Sequence, residues 1–222
     1  MIKLDNITRF YLLTNGSKHF VFKDFTFEFP DNCSIGIMGR NGAGKSTLMR
    51  LLSGSDLPNR GKVITDKRIS WPVGLSGGFQ HNLSARDNVK FIARVYGYKG
   101  EALREKVRYI EEFAEIGKFF DEPMNTYSSG MRSRIGFGLS MAFDFDYYLI
   151  DEAGAVGDPS FRKKSEKIYK EKLANSKIIM VSHNIAEIKQ WCDKIILVGN
   201  GEAKVYDDVD EGLEAYKGLV NV

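Results

Sequence analysis

The sequence has few cysteines and no long apolar run. Its 222 residues include only two cysteines, Cys33 and Cys192, which are far apart and outside any metal-ligand spacing. This spacing argues against a disulfide framework or a zinc site. Nowhere do about eighteen apolar residues follow one another, and the segment from Met1 to Asn6 carries charges where a secretory signal would be apolar. We therefore expect a chain that neither crosses a membrane nor is exported, with reduced thiols in a cytoplasm.

The sequence also lacks a strong charge of either sign. Its 32 basic and 29 acidic residues give a formal charge of +3 and are scattered evenly. Such a balance does not indicate a polyanion-binding surface, so nucleic acid is not an expected partner. There is no internal repeat, no low-complexity stretch and no Pro/Ser-rich linker, and we expect one compact domain over residues 1–222.

Short apolar runs recur along the chain and are typical of buried strands. They cover residues 34–38, 147–151, 177–182 and 194–198, with helical patterns between several of them. This alternation predicts an α/β fold with a mostly parallel sheet. The dipeptide Asn200-Gly201 predicts a hairpin turn after the last of these strands.

A mostly helical region lies between the first two of these strands. Ser84 can cap a helix that runs through Val89, Ile92 and Tyr96. Apolar residues at steps of three and four predict a second helix from about Leu103, with Gly117 as its stop.

A complete phosphate-loop pattern follows the first strand directly. The segment is Gly39-Arg40-Asn41-Gly42-Ala43-Gly44-Lys45-Ser46-Thr47, and a helical pattern comes after it. Glycines let successive backbone N–H groups point at phosphates, while the helix N-terminus adds partial positive charge. Lys45 is expected on the outer phosphates and the Ser46 hydroxyl on Mg²⁺. The loop predicts nucleotide binding but leaves the kind of protein open, since kinases, GTPases and motor ATPases share it.

A second acidic site ends the strand at residues 147–151. Asp151 and Glu152 stand at the carboxyl edge, where an α/β sheet presents side chains to a ligand. Adjacent strand residues face opposite ways, so Asp151 can hold the Mg²⁺ shell while Glu152 reaches a water aligned on the γ-phosphate. Taken alone, the same pair also fits a solvated acidic turn.

Further motifs follow one another along the chain. They are Phe79-Gln80, Tyr127-Ser128-Ser129-Gly130-Met131, Ala155-Val156-Gly157-Asp158 and Ser182-His183, with Tyr11 near the start of the chain. Their order resembles the ATPase subunits of ABC transporters over nearly the whole chain, where they match the Q-loop, the signature, the D-loop, the switch histidine and the adenine-stacking aromatic. The resemblance implies a phosphate-loop NTPase core with an N-terminal antiparallel β portion and a helical subdomain inserted at about residues 81–143. It also implies ATP and Mg²⁺ as ligands.

The same resemblance assigns roles to these residues. Gln80 would touch Mg²⁺ and the attacking water, His183 would contact the γ-phosphate, and Asp158 would face the opposite subunit. The signature departs from Leu-Ser-Gly-Gly-Gln at its first, third and fifth residues, yet Ser128, Ser129 and Gly130 are still expected to bind nucleotide. In the family this signature faces the phosphate loop of another subunit, so a second copy of the chain is the expected partner.

Several stretches are similar to the ATPases that export capsular polysaccharides from Gram-negative bacteria. They are Ile69 to Leu75, Gly77 to Gln80, Asn88 to Arg94 and Tyr127 to Arg134. The resemblance implies an ATPase at the cytoplasmic side of the inner membrane, bound to an integral membrane permease through which the polysaccharide passes. We expect no tight contact between glycan and this chain. Exporters of O-antigen and teichoic acid share much of the pattern, and the end of this chain soon after residue 200 favours the capsule type.

Two other classes of protein are weighed against transport. Soluble ABC ATPases of DNA repair carry long heptad segments between the loop and the signature, and those of translation repeat the whole cassette. Neither feature is present in this sequence. A kinase would need an acceptor pocket, for which no candidate residues are found.

Overall fold

The computed structural model describes residues 1–73, 78–151, 159–199 and 201–220. These residues form two compact units. One is built from the described residues within Met1–Pro72, Phe145–Glu152 and Asn175–Val222, and the other from those within Val73–Asp144 and Ala153–Ala174.

Strands and helices follow one another along the chain in both units. In chain order they are β1 (Ile2–Leu12), β2 (Lys18–Phe29), β3 (Ile35–Met38), α1 (Lys45–Leu52), β4 (Arg60–Thr65), β5 (Ile69–Pro72), α2 (Ala85–Val95), α3 (Gly100–Ala114), 3₁₀ turns at Gly117–Asp121 and Met124–Thr126, α4 (Ser129–Ala142), β6 (Tyr147–Asp151), α5 (Pro159–Leu173), β7 (Lys177–Val181), α6 (Ile185–Trp191), β8 (Lys194–Gly199), β9 (Glu202–Tyr206) and α7 (Val209–Val220).

The first unit begins with an antiparallel sheet of order β2-β1-β4. Ile2 at the start of β1 pairs with Phe29 on one side and with Thr65 on the other. Phe22 and Phe25 of β2 are buried and their rings stack at 5.0 Å between centroids. This sheet is the N-terminal antiparallel portion that the family resemblance implies.

The second sheet has the order β5-β6-β7-β3-β8-β9. All neighbouring strands are parallel except β8 and β9, which pair as an antiparallel hairpin. Every residue of β3 is buried, which explains its continuous apolar sequence, because strands covered on both faces have no polar alternation. Because β3, β6 and β7 are parallel, their carboxyl ends lie at one edge of the sheet. Each of these ends is followed in the sequence by a predicted motif.

The second unit is mainly helical. The Ser84 side chain accepts a hydrogen bond from the Asp87 backbone N–H and caps α2, as predicted. Helices α3 and α4 approach closely at Gly138, where a Cβ would lie 2.7 Å from Cδ1 of Phe113. The Phe113 ring also packs against Phe161 of α5, with 5.1 Å between centroids. Aromatic packing therefore fixes these helices around a small core.

The predicted fold class is confirmed, with one helix end misplaced. Helix α3 ends at Ala114 and its cap Glu115 takes the left-handed conformation at φ 52°, whereas Gly117 starts a 3₁₀ turn instead of stopping the helix. A glycine is the usual residue for such a cap, so the prediction placed the end of the helix two residues too late, at Gly117 instead of Glu115. The turn residue Asn200 lies outside the described residues. Cys33 and Cys192 are both free and buried.

No helix in the described part of the chain combines the length and apolar character needed to span a bilayer.

Candidate functional site

The phosphate loop, residues 39–47, runs from the end of β3 into the first turn of α1, and two of its glycines cannot be replaced without steric conflict. A Cβ on Gly39 would lie 2.2 Å from the Val198 carbonyl oxygen. Gly44 has φ 95°, and a Cβ there would lie 2.6 Å from Cγ1 of Val21. The loop thus reaches its position because the backbone passes close to β2 and β8.

Lys45 begins α1 and is buried, with 9% of its surface exposed. Its Nζ donates hydrogen bonds to the carbonyl oxygens of Gly39 at 2.8 Å and Arg40 at 3.2 Å. These bonds hold the ammonium inside the curve of the loop. A charged donor kept there beside a helix N-terminus is suited to bind a phosphate group.

A pocket of about 500 Å³ opens over the loop. It is lined by Tyr11, His19, Val21, Asn41, Gly42, Gly44, Lys45, Ser46, Thr47, Val181 and His183. The first unit therefore brings together the predicted adenine-stacking residue, most of the loop and the predicted switch histidine. Gly39 and Ala43 shape the loop without lining this pocket.

Tyr11 is held by a polar network at the rim of this pocket. Its hydroxyl donates to Oδ2 of Asp56 at 3.3 Å and receives a hydrogen bond from Nη2 of Arg50 at 2.9 Å. The Arg9 guanidinium lies 4.6 Å from the centre of the Tyr11 ring and pairs with the same Asp56 oxygen at 2.9 Å. Arg9 thus backs one face of the ring, while Asp56 ties the arginine to the tyrosine.

This network changes the acidity of Tyr11. Burial by itself raises the pKa of the phenol, but hydrogen bonds with Thr47, Arg9 and Arg50 outweigh that effect and lower the pKa below its ordinary value. These hydrogen bonds, the one with Thr47 first among them, therefore stabilise the deprotonated form of the Tyr11 hydroxyl.

His183 follows β7 and faces the pocket. Its neighbour Ser182 donates to Oε2 of Glu187 at 2.8 Å, and the Asn184 side chain caps α6 by accepting from the Ala186 N–H at 3.0 Å. His183 Nδ1 lies 3.1 Å from the hydroxyl of Tyr216 on α7. These contacts fix the turn that carries the imidazole.

Asp151 ends β6 and pairs in register with Val181 of β7, which lines the pocket. It is partly buried, and it lies at the carboxyl edge where the sequence predicts it. Glu152 and Asp158 lie outside the described residues. Among the residues that are described, no cluster of three or more His, Cys, Asp or Glu side chains could hold a metal ion. A hydroxyl such as that of Ser46 and the carboxylate of Asp151 are oxygen donors of the kind that Mg²⁺ accepts together with substrate phosphates.

Gln80 belongs to the second unit and is fixed there through its backbone. The buried Asn88 accepts from the Gln80 N–H at 2.7 Å and donates to the Gln80 carbonyl at 3.0 Å. The Gln80 side chain is exposed, and its neighbour Phe79 is buried. Asn88 therefore fixes the backbone at Gln80, and with it the direction in which the Gln80 side chain projects.

The signature segment opens α4. Ser128 is the N-cap and accepts a hydrogen bond from the Met131 N–H at 3.2 Å, and Ser129 is the first helical residue. A pocket of about 480 Å³ lies beside this helix start, lined by Glu115, Ile116, Phe119, Ser128, Gly130, Met131 and Arg134. The second unit thus presents three signature residues, a helix N-terminus and an arginine to one cavity.

Tyr127 gives a physical reason for the altered first residue of the signature. The side chain is 4% exposed, and its hydroxyl accepts from the Ala85 N–H at 3.3 Å. The same hydroxyl donates to the carbonyl oxygens of Phe119 and Glu122, the latter at 3.0 Å. Burial raises the pKa of this phenol, so it stays a neutral donor. Through these bonds Tyr127 links the signature to the start of α2 and to residues 119–122, which precede the signature.

Sequence reasoning missed several residues that contact the predicted site residues, Arg9 and Arg50 at Tyr11 among them. His19 lines the phosphate-loop pocket, and it pairs directly with Tyr11 across the β1–β2 ladder. Asn88, Asp56 and Tyr216 contact Gln80, Tyr11 and His183. Only His19 had a local signal, because a hairpin register places it opposite Tyr11.

Both the sequence and the fold are similar to those of known proteins. A family model described as ABC transporter matches residues 22–155. The polysialic acid transport ATP-binding protein KpsT of Escherichia coli is 53% identical over 218 residues, which cover 98% of this chain and 96% of that protein. The capsule polysaccharide export ATP-binding protein CtrD of Neisseria meningitidis serogroup B is 41% identical over 219 residues, covering 99% and 100%.

A solved structure with a similar fold is the dimeric post-hydrolysis state of the ATP-binding cassette MJ0796 bound to ADP and Pi. It has a TM-score of 0.71 at 21% identity and covers 93% of this chain and 98% of its own. At this identity the likeness concerns the fold alone.

Proposed function

Because this chain belongs to the ABC transporter family, we propose that it is the ATP-hydrolysing subunit that powers export of a capsular polysaccharide across the inner membrane. The observation that carries the proposal is the pocket shared by Tyr11, the phosphate loop and His183. The transport role of the chain is supported by its similarity, over nearly its full length, to polysialic acid and capsule polysaccharide export proteins, at 53% and 41% identity.

The nucleotide would bind along the pocket from Tyr11 to Lys45. Adenine stacks on the Tyr11 ring face opposite Arg9, and the phosphates lie in the loop formed by Gly39, Asn41, Gly42, Ala43, Gly44, Lys45, Ser46 and Thr47. On binding, the Lys45 ammonium exchanges carbonyl partners for phosphate oxygens, which are stronger acceptors because they carry charge. This exchange favours triphosphate over an uncharged ligand.

A magnesium ion would be held by Ser46, Asp151 and Gln80 together with phosphate oxygens. Bound there, Mg²⁺ neutralises charge on the phosphates. The role of the chain's own residues is to supply neutral and anionic oxygen donors at fixed positions, with Asn88 holding the backbone of Gln80.

Each catalytic centre would be completed by a second copy of the chain. Ser128, Ser129 and Gly130 of one copy close over the γ-phosphate bound by the other, with Asp158 contacting the opposite subunit. The helix N-terminus of α4 at the pocket supports this role, because its N–H groups and partial charge favour an anion. Glu152 then positions the attacking water as general base, with Gln80 and His183 on the γ-phosphate side.

A shared site predicts a specific behaviour of Glu152→Gln. The variant should bind ATP normally, hydrolyse it about a hundredfold or more slowly, and accumulate as a dimer at saturating Mg-ATP. Light scattering after size exclusion measures the mass of the complex, and malachite-green phosphate release measures the rate. Glu202→Gln on β9 is the matched control, because it removes an exposed acid elsewhere in the same unit. A variant that stays monomeric at saturating Mg-ATP would count against the shared site.

The membrane partner is proposed to bind the exposed apolar face of α2. Phe91 and Val95 lie one helical turn apart and are 61% and 68% exposed, and Leu83 just before the helix is 44% exposed. Apolar side chains this exposed are costly to leave in water unless a partner covers them. The chain would thus attach to the cytoplasmic side of the inner membrane through an integral permease, and the polysaccharide would pass through that permease without tight contact here.

Co-purification tests this surface. A Phe91→Asp, Val95→Asp double variant should lose the integral membrane protein that detergent extraction recovers with the parent chain, while ATP affinity stays unchanged. Leu57→Asp, 74% exposed in the other unit, is the control.

If no membrane protein is recovered with the parent chain, the alternative of a soluble ABC ATPase outside transport is favoured. Export of O-antigen or teichoic acid is a second alternative, and the polymer that accumulates inside cells lacking this chain distinguishes it from capsule export.

A further inference from the structure

The last helix of the chain contacts the predicted switch histidine. The Tyr216 hydroxyl on α7 lies 3.1 Å from Nδ1 of His183, although the two residues are 33 positions apart. His183 also lines the phosphate-loop pocket, so a residue outside every motif in the sequence contacts a residue of the nucleotide site.

Helix α7 is held firmly enough to set the position of Tyr216. Gly212, one turn before Tyr216 and on the same face, allows a close approach to β8, since a Cβ there would lie 2.7 Å from Cβ of Ile195. Leu213 is 2% exposed, and Asp208 caps the helix by accepting from the Glu211 N–H at 2.9 Å. The tyrosine is therefore carried by a packed helix and not by a loose chain end.

The contact bears on which imidazole nitrogen carries the proton. A neutral imidazole has one N–H, and its other nitrogen can only accept. When the Tyr216 hydroxyl donates to Nδ1, the proton of His183 is at Nε2, where it can be donated to a phosphate oxygen. In the opposite arrangement Nδ1–H donates to the Tyr216 oxygen, and Nε2 carries no proton. Nε2 and a phosphate oxygen are then both acceptors, so no hydrogen bond can form between them. Of the two neutral tautomers, only the first can donate a hydrogen bond from Nε2 to a phosphate oxygen.

We propose that Tyr216 is a positioning residue that holds His183 in the Nε2–H tautomer, with its imidazole directed at the γ-phosphate. The inference rests on the proposed ATPase function for the role of His183, but the tautomer itself does not. It places the C-terminal helix in control of the γ-phosphate contact, in the way that partners of ligating histidines fix ring orientation and tautomer elsewhere.

The tautomer is measured by long-range ¹H–¹⁵N NMR of protein labelled at histidine, at about pH 8.5, where free imidazole is neutral. The chain has three histidines, so the His183 signals are assigned by comparison with a His183→Gln variant. In the parent chain without nucleotide we expect His183 to be protonated at Nε2. In Tyr216→Phe we expect a mixture of both tautomers, and in the control Tyr206→Phe, on β9, the parent pattern.

Kinetics provide the second measurement. Tyr216→Phe should lower kcat for ATP hydrolysis about tenfold, the low end of what loss of such a partner costs, while the Kd for ATP changes less than twofold. Parent-like tautomer populations in Tyr216→Phe, an Nδ1–H tautomer in the parent chain, or an unchanged kcat would each overturn the inference. If the parent chain hydrolyses no ATP, the proposed function fails instead, and the NMR comparison, which needs no nucleotide, still decides whether Tyr216 sets the tautomer.

Discussion

Replacing Asp56 by asparagine should weaken binding of the adenine base without affecting the phosphates. Asp56 receives the Tyr11 hydroxyl at 3.3 Å and pairs with Arg9 at 2.9 Å, and Arg9 in turn lies on the Tyr11 ring. Asparagine keeps the shape and one acceptor oxygen but removes the charge that holds both groups. The Tyr11 ring and the Arg9 guanidinium behind it are then held less tightly.

The size of the effect can be worked out from these contacts. Hydrogen bonds to a charged group contribute about 1.5–3 kcal/mol and neutral ones about 0.5–1.5 kcal/mol, so the change removes about 1 kcal/mol. The Arg9 and Asp56 side chains are only 17% and 20% exposed, which limits screening by solvent. Since 1.4 kcal/mol corresponds to tenfold in affinity, the Kd for ATP should rise about fivefold.

Isothermal titration with two ligands separates the base from the phosphates. In a Glu152→Gln background, which prevents consumption of nucleotide, Asp56→Asn should bind ATP about fivefold more weakly and tripolyphosphate as before. Asp207→Asn, which breaks an exposed pair with Lys194, is the control and should change neither affinity. Unchanged ATP affinity, or an equal loss for both ligands, would refute the role given to Asp56.

Three further predictions concern buried groups. Asn88→Ala removes both hydrogen bonds to the Gln80 backbone, so urea unfolding should show a loss of about 1–3 kcal/mol, and kcat should fall with little change in ATP affinity. Tyr127→Phe leaves the Ala85 N–H without its acceptor, and it should lower stability by about 1–3 kcal/mol in the same assay. Burial raises the pKa of the Cys192 thiol to about 12, so at pH 8 it stays protonated, and mass spectrometry should find alkylation by iodoacetamide only after denaturation.

The altered signature keeps two of the groups through which the proposed phosphate contact would be made. Ser128 caps α4, and the unchanged Ser128 and Gly130 line the adjacent pocket together with Met131, which replaces the usual glutamine. The new tyrosine at position 127 adds hydrogen bonds within the second unit and does not enter that pocket. The departure at Tyr127 therefore concerns how the signature is supported, whereas Met131 is a departure that lines the pocket beside the unchanged Ser128 and Gly130.

The sequence alone was enough for features determined by short-range chemistry. The phosphate loop is contiguous, and its glycines, lysine and hydroxyl must stand at fixed spacing for the backbone to curl around a phosphate. Buried parallel strands such as β3 and β7 have unbroken apolar sequences for the same local reason. The α/β fold class, the Ser84 cap and the order of motifs could all be predicted in this way.

The tertiary structure alone decided which residues hold the site residues in place. Tyr216 with His183, Asp56 with Tyr11 and Asn88 with Gln80 are brought together by packing between elements. No spacing rule encodes these contacts, because each depends on how closely a helix or strand approaches its neighbour. The approach of α7 to β8 at Gly212 is an example, since it depends on a missing side chain that meets Ile195 only in the folded protein.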